Sequence, residues 1–504
     1  MGDLRQKIGL ILGPAAAVFI ILFTDLQPGH PQVTLTAAVA VLMAVWWITE
    51  AIPIPATALL PVVLFPLLGI MKGKAVAAMY FNNIIFLFIG GFIMALAMQK
   101  WHLHRRIALK IILFIGLSPR RIILGFMAAT AFLSMWISNT ATAMMMLPIA
   151  MAIVYKLKES LGEKGIGKFA VGLLLGIAYA ASIGGTATLI GTPPNLAFVR
   201  IFAISFPDAP QITFAEWFVF GLPFAVTFFV ICWLLLIFMY ARGTKTFSAG
   251  REVFRTEYAR LGKIRYEEKI VLILFVILSL LWLFRSPIEL GAFTIPGWSM
   301  IMPSPDFIDD GTVAMIIAVL LFIIPSKSKE GGRLMDWETA TQLHWGIVIL
   351  FGGGFALAGG FEASGLSAWL GQQLHVFSGF PVLLIVLIVC LMLTFLTELT
   401  SNTATTQMVL PILASLAVAI EVNPLLLMIP ATLSASCAFM LPVATPPNAI
   451  VFGSGEIRMP HMIRTGIFLN FIGAVVVTAF VYMLATAVFG IDLSSFPAWA
   501  VSGH

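Results

Sequence analysis

The chain has 504 residues, of which 60% are hydrophobic and only 10% are charged. A soluble domain carries roughly 25% charged residues, so lipid rather than water must be the outer solvent for most of this chain. The net charge of +6 sits mainly in short loops between apolar runs, as membrane topology requires, and does not point to a nucleic acid.

A spanning helix needs about 20 predominantly apolar residues. The N-terminal Met1–Lys7 segment leads into an apolar run over 8–24 that ends without a small-x-small cleavage site. It reads as the first spanning helix, within residues 1–33, and not as a signal peptide. Further crossings are predicted over 34–50, 57–70 and 82–99. The segment 122–155 is apolar but carries Ser138-Asn139-Thr140 at its middle, between two basic loops. Both flanks favour the cytoplasm, so this segment is expected to enter and return as a re-entrant hairpin. Crossings over 169–203 and 217–240 lead to a linker, 241–269, with eight Lys and Arg.

The second half begins at residue 270. Crossings are predicted over 270–284, 311–325 and 345–361. A second hairpin is predicted over 381–419, with flanks that contain no Lys or Arg. Crossings over 425–457 and 465–490 follow. With the N-terminus in the cytoplasm, 25 basic residues face in and two, Lys72 and Lys74, face out; Arg200 and Arg285 lie at helix ends near the outer face. The C-terminus is then external. The prediction is an all-α polytopic membrane protein with about 11 transmembrane helices and two re-entrant hairpins.

The two halves repeat one another. Ser138-Asn139-Thr140-Ala141-Thr142 recurs as Ser401-Asn402-Thr403-Ala404-Thr405, 263 residues later. Leu147-Pro148-Ile149 and Gly90-Gly91-Phe92 recur at the same spacing. Thr192-Pro193-Pro194-Asn195 recurs as Thr445-Pro446-Pro447-Asn448 after 253 residues. Four matches in one order imply duplication. The hairpins enter from opposite sides, so 34–240 and 270–504 form inverted repeats, an architecture of secondary transporters.

Hydrocarbon cannot hydrogen-bond an amide, a hydroxyl or a backbone turn. Ser-Asn-Thr at mid-membrane depth therefore belongs in protein or in a wet cavity. Its side chains and freed carbonyls form an oxygen-rich shell suited to Na⁺. The same groups, with helix N-termini, can donate to a carboxylate. The Pro-Pro pairs are expected to break the helices 169–203 and 425–457. Glu398, three residues before Ser401, reads as a structural hydrogen-bond partner of its hairpin, with a proton relay as the alternative. Glu50 and Glu362 are placed near the membrane interfaces, and His102 and His104 at the cytoplasmic one. Phe351-Gly352-Gly353-Gly354-Phe355 lacks the strand and the Lys-Ser/Thr of a nucleotide loop and reads as close helix packing. Cys232, Cys390 and Cys437 have no metal or redox spacing. No Walker motif or nucleophile triad appears, which argues against an ATP-driven pump and against an enzyme.

The paired Ser-Asn-Thr motifs, with Gly191-Thr192-Pro193-Pro194-Asn195 and Ala444-Thr445-Pro446-Pro447-Asn448, resemble the divalent anion/sodium symporter family over nearly the whole chain. The resemblance implies a homodimer in a bacterial plasma membrane, working as an elevator. A scaffold of about 1–115 and 265–375 would hold a moving transport domain of about 116–240 and 376–504. It implies two Na⁺ sites, one from Ser134, Ser138, Asn139 and Gly191, the other from Thr397, Ser401, Asn402 and Ala444. The internal repeat matches these sets to each other. The anion would lie near Asn139, Thr140, Ser401, Asn402, Thr403, Thr445 and Pro446. Expected cargo is a C4-dicarboxylate such as succinate, malate or fumarate, moved with Na⁺. Na⁺-independent exchange, citrate or sulfate transport, and a passive anion channel are the alternatives.

Overall fold

A computed structural model describes residues 4–116, 118–161, 163–241, 250–290, 293–328, 331–493 and 495–501. Arg242, Lys245 and Lys329, counted above among the cytoplasmic residues, lie outside the described residues, as does the C-terminal His504.

The first half opens with α1 (Leu4–Phe23), α2 (Pro31–Thr49), the short α3 (Ile54–Thr57), α4 (Leu60–Leu67) and α5 (Gly73–Met79), then α6 (Asn83–Lys100) and α7 (Leu103–Ile115). The hairpin arms are α8 (Pro119–Ser134) and α9 (Asn139–Leu161). After them come α10 (Glu163–Gly185), α11 (Pro193–Ser205) and α12 (Phe214–Leu236), and then the linker helix α13 (Gly250–Arg260). The second half contains α14 (Tyr266–Leu283), α15 (Asp310–Ile323), the short α16 (Trp337–Ala340), α17 (Trp345–Ser364) and α18 (Leu366–Leu374). Its hairpin arms are α19 (Val382–Thr397) and α20 (Asn402–Ala419), followed by α21 (Leu425–Ala435), α22 (Pro446–Phe452) and α23 (Met459–Phe480).

The repeat is carried into the helix ends. The repeat spacing carries α8 onto α19 and the start of α9 onto the start of α20, while α11 and α22 begin at equivalent prolines. Both predicted breaks are present. Residues 186–192 and 436–445 leave the helix between α10 and α11 and between α21 and α22.

One reading needs correction. The run 57–70 is not one continuous helix. Pro53, Pro55, Pro61 and Pro66 crowd this stretch, and it folds as α3 and α4, because a proline removes a donor and restricts the residue before it. Between the crossings predicted over 270–284 and 311–325, the chain holds a small antiparallel pair in which Ile288–Leu290 meets Phe293–Ile295. Nine helices among the described residues are long and apolar enough to cross a membrane. Large apolar side chains stay exposed on them, among them Ile11, Leu22 and Phe23 of α1, as a lipid-facing surface requires.

Two sets of helix contacts position the site. The Gly-rich face of α17 packs on α2, α3, α4 and α5, and α6 packs on α15. A Cβ on Gly353 would lie 2.4 Å from Ala58 O, and one on Gly90 would lie 2.5 Å from Ala314 Cβ. The glycine clusters are thus close helix packing, as the sequence suggested. The repeats interlock, and α17 also packs on α11 and α20. Helix α11 packs on α20, α22 packs on α9, and α10 touches α22. This interlocking brings both hairpin tips and both helix breaks to one place.

Candidate functional site

Both tips open onto one cavity of about 530 Å³. Its wall includes Ser138, Asn139 and Thr140 from the first tip, Ser401, Asn402 and Thr403 from the second, and Gly191, Ala444, Thr445 and Pro446 from the breaks. Phe88, Phe92 and Leu350 close the opposite wall. Four helices begin at this cavity: α9, α11, α20 and the shorter α22. Their first-turn N–H groups have no partner within the helix, and their dipoles favour negative charge there. The Ser401 hydroxyl accepts from Ala404 N at 3.5 Å, and the Thr445 hydroxyl from Asn448 N at 3.3 Å.

Behind each tip lies an oxygen cluster. In the first, the buried Ser134 Oγ donates to Ala181 O at 2.7 Å. The Asn139 amide nitrogen donates to Ala181 O and Gly191 O at 3.2 Å each and to Ser134 Oγ at 2.5 Å. A hydroxyl, an amide and two backbone carbonyls thus converge on one spot, a neutral oxygen-rich set that would suit Na⁺ once the amide turns its oxygen inward. Glycine is required at this spot: a Cβ on Gly185 would lie 2.7 Å from Asn139 Oδ1, and one on Gly191 would lie 2.4 Å from Gly185 O.

The second cluster repeats the first. Thr397 Oγ1, fully buried, lies 2.6 Å from Asn402 Oδ1 and 3.0 Å from Ala435 O, and its one proton serves one of them at a time. Ser134 and Thr397 thus hold the same position relative to their asparagines. Ser138 lines the cavity, and its Oγ accepts from Ala141 N at 3.2 Å. The sequence did not single out the carbonyls of Ala181 and Ala435.

The breaks are held open by matching side chains. Asn195 Nδ2 donates to Thr188 O at 2.7 Å, and Asn448 Nδ2 donates to Leu441 O at 3.0 Å. The buried Glu398 carboxylate accepts from Phe439 N, Met440 N and Leu441 N at 2.7, 2.9 and 2.9 Å. It also accepts from Asn470 Nδ2 at 2.8 Å. Glu398 is therefore a hydrogen-bond partner, the structural role favoured from sequence. Its repeat equivalent is Met135, so only the second break is tied in this way.

A family model described as the sodium:sulfate symporter transmembrane region matches residues 7–491. The chain belongs to the sodium:sulfate symporter family. This is the divalent anion/sodium symporter group that the motifs resembled. Relatives in this family include a sodium-dependent dicarboxylate transporter, SdcS, of Staphylococcus saprophyticus. It is 46% identical over 98% of this chain and 94% of its own length. A protein of the same name from Staphylococcus aureus strain MRSA252 is 46% identical over 97% of this chain and 93% of its own. The YdaH transporter structure from Alcanivorax borkumensis aligns with a TM-score of 0.55 at 14% identity, over 84% of this chain and 89% of that one. That likeness bears on the fold alone.

Four polar residues of this symporter-family cavity were not connected with it from sequence: Arg5, Glu50, His344 and Thr400. Glu50 closes α2 in the left-handed region, with φ 50°. Arg5 stands near the start of α1, and His344 sits just before α17. Their convergence depends on tertiary packing of distant segments, and no local spacing encodes it. Glu362, by contrast, lies at the far end of α17, where Ser367 Oγ donates to it at 2.7 Å.

Proposed function

We propose that this protein is a secondary active transporter that carries C4-dicarboxylates together with Na⁺. The observation that carries the reading is the pair of equivalent oxygen clusters, Ser134–Asn139 and Thr397–Asn402, on either side of a cavity ringed by helix N-termini. Two Na⁺ ions, one per cluster, supply the positive charge that a dianion needs. The tip hydroxyls and amides supply directional donors. Binding of the anion then depends on the sodium ions, which couples the two fluxes. The sodium dependence in the names of the 46% identical relatives supports this reading.

Movement follows an elevator scheme. The body that holds α8–α12 and α19–α23 slides against the body of α1–α6 and α14–α17. The protein works as a homodimer in a bacterial plasma membrane, with its N-terminus cytoplasmic and its C-terminus external. In this orientation Arg5, Glu50 and His344 lie at the cytoplasmic end of the cavity.

The direct test is succinate uptake into proteoliposomes with Na⁺ replaced by K⁺ or choline. Uptake is expected to fall to background. Undiminished uptake would overturn the symport reading in favour of exchange, and unitary currents without sodium dependence would favour a channel. Competition by citrate and sulfate ranks the anions.

Topology has its own test. The 241–269 segment carries eight Lys and Arg and should be cytoplasmic; the 286–310 segment has none and should be external. Single cysteines in each are expected to react with an impermeant thiol reagent from opposite sides. Cys232, Cys390 and Cys437 are buried and should contribute little background. Reaction of both segments from outside would break the inverted arrangement.

A further inference from the structure

Arg5 is the only Lys or Arg among the described residues that line the cavity. Its guanidinium bridges two segments that are far apart in sequence. Nη2 donates to Ile48 O, in the last turn of α2, and to Leu399 O at 3.0 Å. Leu399 lies in the second hairpin tip, two residues from both Thr397 and Ser401. Helix α1 is firmly attached to α2. Trp46 Nε1 donates to Gly9 O at 3.1 Å, and a Cβ on Gly9 would collide with Thr49 Oγ1. On the elevator scheme proposed above, Arg5 belongs to the body that stays fixed and Leu399 to the body that moves. A displacement of one helical turn, about 5.4 Å, is enough to part them.

We infer that Arg5 is a sodium-release residue, which docks on the second hairpin tip only while the carrier faces the cytoplasm and there weakens the hold of the second cluster on Na⁺. This rests on the symport reading above. A guanidinium on the Leu399 carbonyl draws electron density from the backbone beside the Thr397–Asn402 cluster. It also adds a like charge near the ion in a partly desolvated cavity. Sodium leaving that cluster meets less resistance, and the charge-assisted bond holds the emptied tip at the cytoplasmic side. In the outward-facing state Arg5 is left behind with α2, and the cluster regains its affinity. The first cluster has no such neighbour, since no other cation lines the cavity among the described residues.

The test uses the purified full chain with Arg5→Ala, Arg5→Gln and Arg5→Lys. Arg5 is exposed, so all three are expected to fold. The first readout is thermal stability against Na⁺ concentration with no anion present. The Ala and Gln variants are expected to reach half-saturation at about three- to tenfold lower Na⁺ than the parent, and the Lys variant near the parent value. The second readout is labelling of Val443→Cys, a cavity position with 77% exposure, from each side of the membrane. Arg5→Ala is expected to slow labelling from the cytoplasm and speed it from outside. An Arg5→Ala protein with the parent's sodium midpoint and labelling rates overturns the inference, even if it is uniformly less stable. That outcome would make Arg5 a plain cap on α2. A parent protein that Na⁺ does not stabilise at all overturns the symport reading and the inference with it.

Discussion

Asn139→Ala and Asn402→Ala are each expected to abolish sodium-coupled uptake. Each asparagine has an acceptor end and a donor end. Turned inward around a cation, the acceptor of Asn139 would join Ala181 O and Gly191 O, and that of Asn402 meets Thr397 Oγ1. Both residues also line the cavity, where the amide nitrogen can steady a carboxylate. Alanine removes both functions at once. A buried hydrogen bond to a charged group contributes about 1.5–3 kcal/mol, or about 10- to 150-fold in affinity. Losses in sodium and anion affinity compound, because one binding event depends on the other. Asn→Asp separates them: the oxygen for the cation stays, the donor goes, and a negative charge is set beside the dianion. Transport by the Asp variants is expected to be lost while sodium binding persists. The measurement is sodium and succinate affinity for all four variants on protein shown to be folded. An Ala variant that keeps parental affinities would make that asparagine structural and would dissolve its cluster as a binding site.

The tips were legible because polar residues at mid-membrane depth have few physical explanations, and here they occur twice at one spacing. The breaks were legible because Pro-Pro cannot continue a helix. The carbonyls of Ala181 and Ala435 were not, since a backbone oxygen leaves no mark on residue type. One signal was available: Ala435 closes α21 just before a break, where terminal carbonyls have no helical partner. The misreading of 57–70 has the opposite cause. Its apolar content satisfied the length criterion, and the prolines at 61 and 66 should have outweighed it. Arg5 was assigned to topology alone. A basic residue ahead of a first spanning helix is ordinary in a membrane protein, and only the packing of α1 on α2 brings it to the second tip.

Glu398→Leu is expected to cost more stability than any other single change at the second hairpin. Glu398 is 3% exposed and accepts four hydrogen bonds, three from consecutive backbone N–H groups of the broken helix and one from Asn470. Those N–H groups lie in residues 436–445, where no helix satisfies them. Leucine fills a similar space but accepts nothing, so four donors lose their partner, two of them buried and two part-buried. Each buried orphaned donor costs about 1–3 kcal/mol, which places the total at about 2–6 kcal/mol, toward the large end of single substitutions. Glu398→Gln is expected to be much milder, since the amide oxygen can still accept from Phe439 N, Met440 N and Asn470 Nδ2 while its nitrogen faces only Leu441 N. The equivalent position in the first repeat is Met135, and there the break is held without a carboxylate. Met135→Leu, a nearly volume-conserving change, is therefore expected to cost less than about 1.5 kcal/mol. The check is folded yield and thermal stability of the three variants in detergent without sodium, which keeps ion binding out of the comparison. A Glu398→Leu protein as stable as the parent would mean that the unwound segment 436–445 takes its hydrogen bonds from elsewhere, and that Glu398 is free for a role in the transport cycle.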